Sequence, residues 1–248
     1  MHKVTSFDPP IRVYKTQAMF YMLDLINKGY KFWMAGEIDA NKAAKFATKM
    51  AQKYGVHLSE TGRYKRKKQG QCNSYLVMHP RADSKAILWW IFATEGQGDI
   101  KQHERLKDAL SKKKSHRLTW QDQFEVVRST KFFKREEAKA VGITWRLQKE
   151  ARESAKDRIK RACQNKNSYK ISQALGSFVR MPGFRGIRSD FHHLMKHYRE
   201  QSKAFYGMCW KELAPAPPEQ IGWVRRKTAD VKPLSVLCRQ MAIGRPWR

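Results

Sequence analysis

An α+β fold is predicted for this chain, and three observations predict it. From Ile11 to Thr94, short aromatic and apolar runs alternate with apolar residues at helical spacing. The run Ala86-Ile87-Leu88-Trp89-Trp90-Ile91-Phe92-Ala93 suits a strand buried on both faces, and falls far short of the ~20 residues a bilayer span needs. Beyond Met181-Pro182-Gly183 the periodicity is helical alone.

Taken in order, Ile11 to Lys15 reads as a short strand. Met19, Met22, Leu23 and Ile26 then mark a helix that Gly29 stops. Tyr30 to Met34 is aromatic and strand-like. Asp39 is placed to cap a second helix whose stripe is Ala43, Ala47, Met50 and Tyr54, closed by Gly55. A basic hairpin is expected next, Arg63 to Lys67 opposite Ser74 to His79 with its turn at Gln69-Gly70. Phe124 to Ser129 and Ile143 to Leu147 are further strands, and the charged stretch Lys131 to Lys139 between them is expected to be irregular. Leu147, Ala151, Ala155, Ile159 and Ala162 set a helix over 148–163, and Ile187, Phe191, Leu194 and Tyr198 set another. Ala214-Pro215-Ala216-Pro217-Pro218 is an extended spacer. The strand-helix-strand openings suit a ferredoxin-like or RRM-like antiparallel sheet over 1–165. A helical unit at 166–213 and a spacer with a basic C-terminal arm at 214–248 complete the expected domains.

Charge narrows the function. The chain carries 51 Lys and Arg against 22 Asp and Glu, a formal net of +29 in 248 residues. Such an excess repels itself in a folded protein and is relieved by a polyanion. Aromatic residues at 12 %, eight of them Trp, supply a packed core, which sets the chain apart from a disordered basic tail. The expectation is a folded nucleic-acid-binding protein, its partner DNA or RNA. Other subunits of a nucleoprotein complex are possible further partners. Met1 to Pro10 lacks an apolar signal region, so a soluble cytoplasmic protein without a membrane partner is expected. Cys72, Cys163, Cys209 and Cys238 are scattered without a C-x-x-C pair and read as ordinary reduced thiols.

Four basic clusters are candidates for phosphate contacts. The first is Arg63, Lys65, Arg66, Lys67 and Lys68 around Tyr64. The second is Lys112, Lys113, Lys114 and Arg117, before Trp120. The third is the helix bearing Arg185, Arg188, His192, Lys196 and Arg199, whose arginine forks suit guanine or phosphate. The fourth is Arg225, Arg226 and Lys227 in the arm, with Arg239, Arg245 and Arg248 and with Trp223 and Trp247 as stacking rings. Each cluster also has a plainer reading as a solvated face or, for the tryptophans, as pins to the core.

Catalytic signals are sparse. His193 and His197 sit at i and i+4 on one helix face, a chelating geometry, but no H-E-x-x-H glutamate accompanies them. Gly96-Gln97-Gly98 lacks the Gly-Lys-Ser/Thr of a P-loop, and Glu95, Asp99, Glu104 and Asp108 read as solvated charges rather than a two-metal site. No metal or cofactor is expected. The alternative to plain binding is a metal-independent endoribonuclease of the ferredoxin-like RNA-processing type, with His193, His197 or Tyr198, and His192 beside them, at the scissile phosphate. A structural subunit of a ribonucleoprotein complex is the third reading.

Two stretches, Arg81 to Gly96 and Met181 to Arg188, resemble uncharacterised proteins of conjugative plasmids and integrative mobile elements. The resemblance implies a bacterial mobile-element setting and carries no residue roles.

Overall fold

The structure, a computed structural model, describes residues 5–82, 84–133, 136–224 and 230–244, with 130–133 and 136–141 described by their backbone alone. It is mixed α+β with antiparallel sheets and divides into two units, 1–118 with 226–248, and 119–225. The divisions expected near 165 and 213 therefore fall elsewhere. No helix among the described residues is long and apolar enough to cross a membrane.

The first unit runs β1 (Pro10–Arg12), α1 (Lys15–Asn27), β2 (Phe32–Asp39), α2 (Ala40–Tyr54), α3 (Glu60–Lys68), β3 (Ser74–Pro80), β4 (Ala86–Ala93), α4 (Asp99–His103) and β5 (Lys107–Asp108). Its sheet has the order β3-β4-β2-β5, each neighbour antiparallel. The ladder sets Leu76, Ile91 and Met34 side by side on one face, and Val77, Trp90 and Ala35 on the other. The first face packs on the Ala43, Ala47 and Met50 stripe of α2. On the second face Tyr75 meets Tyr21 of α1, with ring centroids 5.5 Å apart. With both faces covered, β4 is buried along almost its whole length, as its unbroken apolar run requires. Gly55 ends α2 in the left-handed conformation that only glycine adopts without strain.

The expected hairpin at Arg63 to Lys67 is a helix instead. Ser59 caps α3 by accepting from the Gly62 N–H (3.3 Å), and Glu60 lies in the first turn. Lys65, Arg66, Lys67 and Lys68 crowd the last turn, where the carbonyl end of the helix dipole favours cations. Gly70, with φ +69°, follows the helix terminus rather than turning a hairpin. Ser74 to His79 is a strand as expected, but it pairs with β4.

The second unit comprises β6 (Thr119–Trp120), β7 (Phe124–Phe133), β8 (Glu136–Leu147), α5 (Lys149–Gln164), α6 (Ser168–Val179), α7 (Arg185–Tyr206) and α8 (Trp210–Leu213). Its sheet has the order β6-β7-β8. The stretch Lys131 to Lys139, expected to be irregular, lies largely within the paired strands β7 and β8, with a bulge at Phe132/Phe133. Trp120, Phe124 and Trp145 from the sheet and Ile159, Phe178, Phe191 and Leu194 from the helices are buried. The Pro-rich stretch has no regular structure, but Tyr198 ties it down by donating its hydroxyl to the Pro215 carbonyl (2.5 Å).

The C-terminal arm is likewise not free where it is described. β9 (Val231–Pro233) pairs antiparallel with β1, and α9 (Leu234–Ala242) buries Leu234, Leu237 and Met241 against α2 in the first unit. Asp8 accepts from both the backbone N–H and the hydroxyl of Ser235, at 2.9 and 2.6 Å. Leu234, Leu237 and Met241 are spaced three and four apart, so one apolar helical face drives the docking.

Candidate nucleic-acid interface

In the second unit β7, β8, α5 and α7 border a cavity of about 510 Å³. Arg128, Arg146, Arg152, Lys156, Arg185 and His193 line it, with the hydroxyls of Ser129 and Ser189 beside them. Among the described residues Asp190 is its one acidic lining residue, and it is 4 % exposed. A carboxylate that deep must be paired. Asp190 Oδ2 accepts from the Leu147 N–H (2.8 Å), while Oδ1 accepts from Arg146 Nη2 (3.3 Å) and Arg152 Nη1 (3.1 Å). Arg146 also stands opposite Glu125 across the β7–β8 ladder. These arginines are therefore committed, and they hold the floor in place.

Arg128, Lys156 and Arg185 are the cations left to meet an anion. Arg128 and Arg185 are exposed, and Lys156 shares its ammonium with the surface carboxylate of Glu153 (3.1 Å), a weak competitor. The start of α7 reinforces them. Its first turn holds no acid and its cap residue, Phe184, makes no side-chain cap hydrogen bond, so the positive end of the helix dipole adds to the charge of Arg185. Gly186 makes this placement possible. A Cβ there would lie 2.5 Å from the Trp145 carbonyl oxygen, and the bare backbone instead donates to Thr144 Oγ1 (3.1 Å).

From that point α7 presents a basic stripe away from its core. His192, Lys196 and Arg199 are exposed along it, as their helical spacing predicts. Arg188 is already engaged, with its guanidinium 3.2 Å from the ring centroid of Trp223.

The first unit disperses its candidates. Arg63 is a packing residue: it lies over Tyr75 (4.5 Å) and donates Nη2 to the Val56 carbonyl (2.9 Å), while its own carbonyl accepts from Asn73 Nδ2. Arg66 borders a separate cavity of about 1180 Å³, next to Gly55 and Gly98. Lys65, Lys67 and Lys68 remain exposed beside exposed Tyr64, with Lys68 Nζ 5.1 Å from its ring. In the second cluster Lys112, Lys113 and Lys114 are exposed, whereas Arg117 closes the loop by donating to the carbonyls of Ser111 (3.2 Å) and Lys112 (3.4 Å). Arg225, Arg226 and Lys227, and with them Arg245, Trp247 and Arg248, lie outside the described residues.

The histidine cluster comes apart. His193 lines the cavity, His192 is exposed, and His197 is half-buried with an enclosed Nε2 that meets no hydrogen-bond partner among the described residues. Tyr198 is fully buried, and burial pushes its phenol above the ordinary value, so it is a core residue rather than a reacting group. No three His, Cys, Asp or Glu residues among those described are grouped to hold a metal ion.

An RRM reads unpaired bases with aromatic rings on an open sheet face. Here Trp33, Trp90 and Phe92 share one face of the sheet and are 4 %, 3 % and 0 % exposed. That face serves as core.

Sequence reasoning missed Arg128, Arg146, Arg152, Lys156 and Asp190. Asp190 did leave a signal, because it falls on the apolar stripe Ile187, Phe191, Leu194, where an acid needs a buried partner. Comparison of the chain with protein-family models, with curated proteins and with solved structures finds no match.

Proposed function

We propose that this protein binds nucleic acid, DNA or structured RNA, by gripping backbone phosphate. The observation that carries the reading is the groove of the second unit, where Arg128, Lys156 and Arg185 stand around a carboxylate already neutralised by Arg146 and Arg152. An anion entering it meets donors without confronting an unpaired acid. The net charge of +29 and the exposed lysines of α3 and of the 112–114 loop add non-specific attraction. A ferredoxin-like architecture for the first unit is part of the proposal. The succession β2, α2 and α3, β3, β4, α4, β5 with the order β3-β4-β2-β5 supports it. The bacterial mobile-element setting, the cytoplasmic location and association with other subunits rest on the sequence reading alone.

Salt dependence tests this. Wild type should bind labelled DNA or RNA with an affinity that falls steeply as salt rises. The triple variant Arg128→Ala/Lys156→Ala/Arg185→Ala should bind at least about tenfold more weakly at low salt, with a log–log salt slope shallower by about 2–3. None of the three holds Asp190, so folding should be unaffected. Negligible binding of every nucleic acid at low salt, or an unchanged slope, would overturn the proposal.

One observation favours a second reading, a metal-independent endoribonuclease. His193 Nδ1 lies 2.8 Å from the Ser189 carbonyl oxygen, which can only accept, so Nδ1 carries the proton and Nε2 of the neutral ring is left as an acceptor. With RNA in the groove, Nε2 would take the proton of a 2′-hydroxyl as that oxygen attacks the adjacent phosphorus. The proton then passes to the departing 5′-oxygen, leaving a 2′,3′-cyclic phosphate, while the flanking cations stabilise the extra negative charge. Labelled RNA incubated in EDTA should be cut by wild type and at least about a hundredfold more slowly by His193→Ala. Intact RNA with wild type would remove this reading for the RNAs tested and leave phosphate binding standing.

A further inference from the structure

We infer that the groove and the Arg188–Trp223 pair form one composite site for a nucleic-acid segment with unpaired bases, in which a phosphate sits in the groove and a base stacks on Trp223. The inference rests on the phosphate-binding reading above and names the form of nucleic acid that the site selects.

Trp223 is 65 % exposed, yet its ring is held in place. The Arg188 guanidinium lies 3.2 Å from the ring centroid. Backbone geometry sets the position of the indole. A Cβ on Gly183 would collide with the Gly222 carbonyl, so only glycine lets residues 222–224 cross so close to the start of α7, and the Val224 N–H donates to the Gly183 carbonyl there (3.5 Å). An arginine stacked on the ring and a close backbone crossing at the neighbouring Gly222 pre-orient the indole before any ligand arrives.

Position ties the ring to the groove. Arg185 lines the groove and Arg188 is three residues further along α7, hence on a neighbouring part of the helix surface and about 4.5 Å along its axis. A single strand presents a phosphate and a free base face within the same nucleotide, and proteins that bind such strands pair a cationic track with aromatic rings. Duplex bases are stacked on each other and offer an exposed indole nothing comparable. The buried aromatics of the first-unit sheet leave no RRM-type platform among the described residues to do this work instead.

The experiment compares Trp223→Ala and Trp223→Phe with wild type in binding short oligothymidylate, oligouridylate and a duplex of equal length. Trp223→Ala should weaken binding of the single strands about tenfold and leave duplex affinity unchanged, and Trp223→Phe should recover most of the loss. Saturating oligothymidylate should quench tryptophan fluorescence in wild type, and less so in Trp223→Ala. Equal losses for single strand and duplex, or no loss at all while the triple charge variant still weakens binding, would overturn the stacking site and leave phosphate binding intact. Absence of all binding by wild type would instead overturn the reading on which it rests.

Discussion

Asp190→Ala should destabilise the protein by about 3 kcal/mol, the scale expected when one partner of a largely buried ion pair is removed. The substitution strips the acceptor from the Leu147 N–H and takes from Arg146 and Arg152, with side chains 34 % and 22 % exposed, the carboxylate they share. Asp190→Asn keeps an oxygen for the Leu147 N–H and should lose less. Urea denaturation measures both. The groove makes a second, opposite prediction for Asp190→Asn: removing its carboxylate charge should hold or raise nucleic-acid affinity even as stability falls. If Asp190→Ala melts like wild type, Asp190 is not the organising group of the groove. If Asp190→Asn binds distinctly more weakly at equal foldedness, the cations are not what an anion meets there.

Gly186→Ala should cost about 1–3 kcal/mol through overpacking. The added Cβ would sit 2.5 Å from the Trp145 carbonyl oxygen, 3.0 Å from Thr144 Cγ2 and 3.1 Å from Arg146 Cβ, and two strand residues and a carbonyl cannot swing aside as a flexible side chain would. α7 must then lift from β8, which loosens the bond from Gly186 to Thr144 and carries Arg185 away from the groove. Gly176→Ala is the control. It lies within α6 with nothing within 4 Å of an added Cβ, so it should be neutral or should stabilise by up to about 1 kcal/mol through helix propensity. Equal effects of the two substitutions in thermal melts would show that α7 is not seated as described.

How far the sequence carries can be followed element by element. The helices with strict apolar spacing, α1, α2, α5 and α7, and the buried strand β4 were legible, because their patterns are complete within one short window of chain. α3 was misread because its charge drew attention to the turn signal at Gly70 and away from the Ser59 cap. Which face α9 docks on was not legible, because Leu234, Leu237 and Met241 name no partner until α2 presents one.

The exposure of His192, Lys196 and Arg199 on α7 follows from their spacing, whereas the groove beside them does not, and the difference is physical. A helix face is a local property, whereas the groove is assembled from Arg128 on β7, Arg146 on β8, Lys156 on α5 and Arg185 on α7. By itself the sequence determined a polycationic, folded chain with defined helices, since charge and periodicity sum over neighbours. Only the tertiary structure decided which cations are spent on Asp190, on Tyr75 or on the Ser111 carbonyl and which still face outward. Strand register and the close glycine approach of α7 to β8 bring together residues that no sequence window contains.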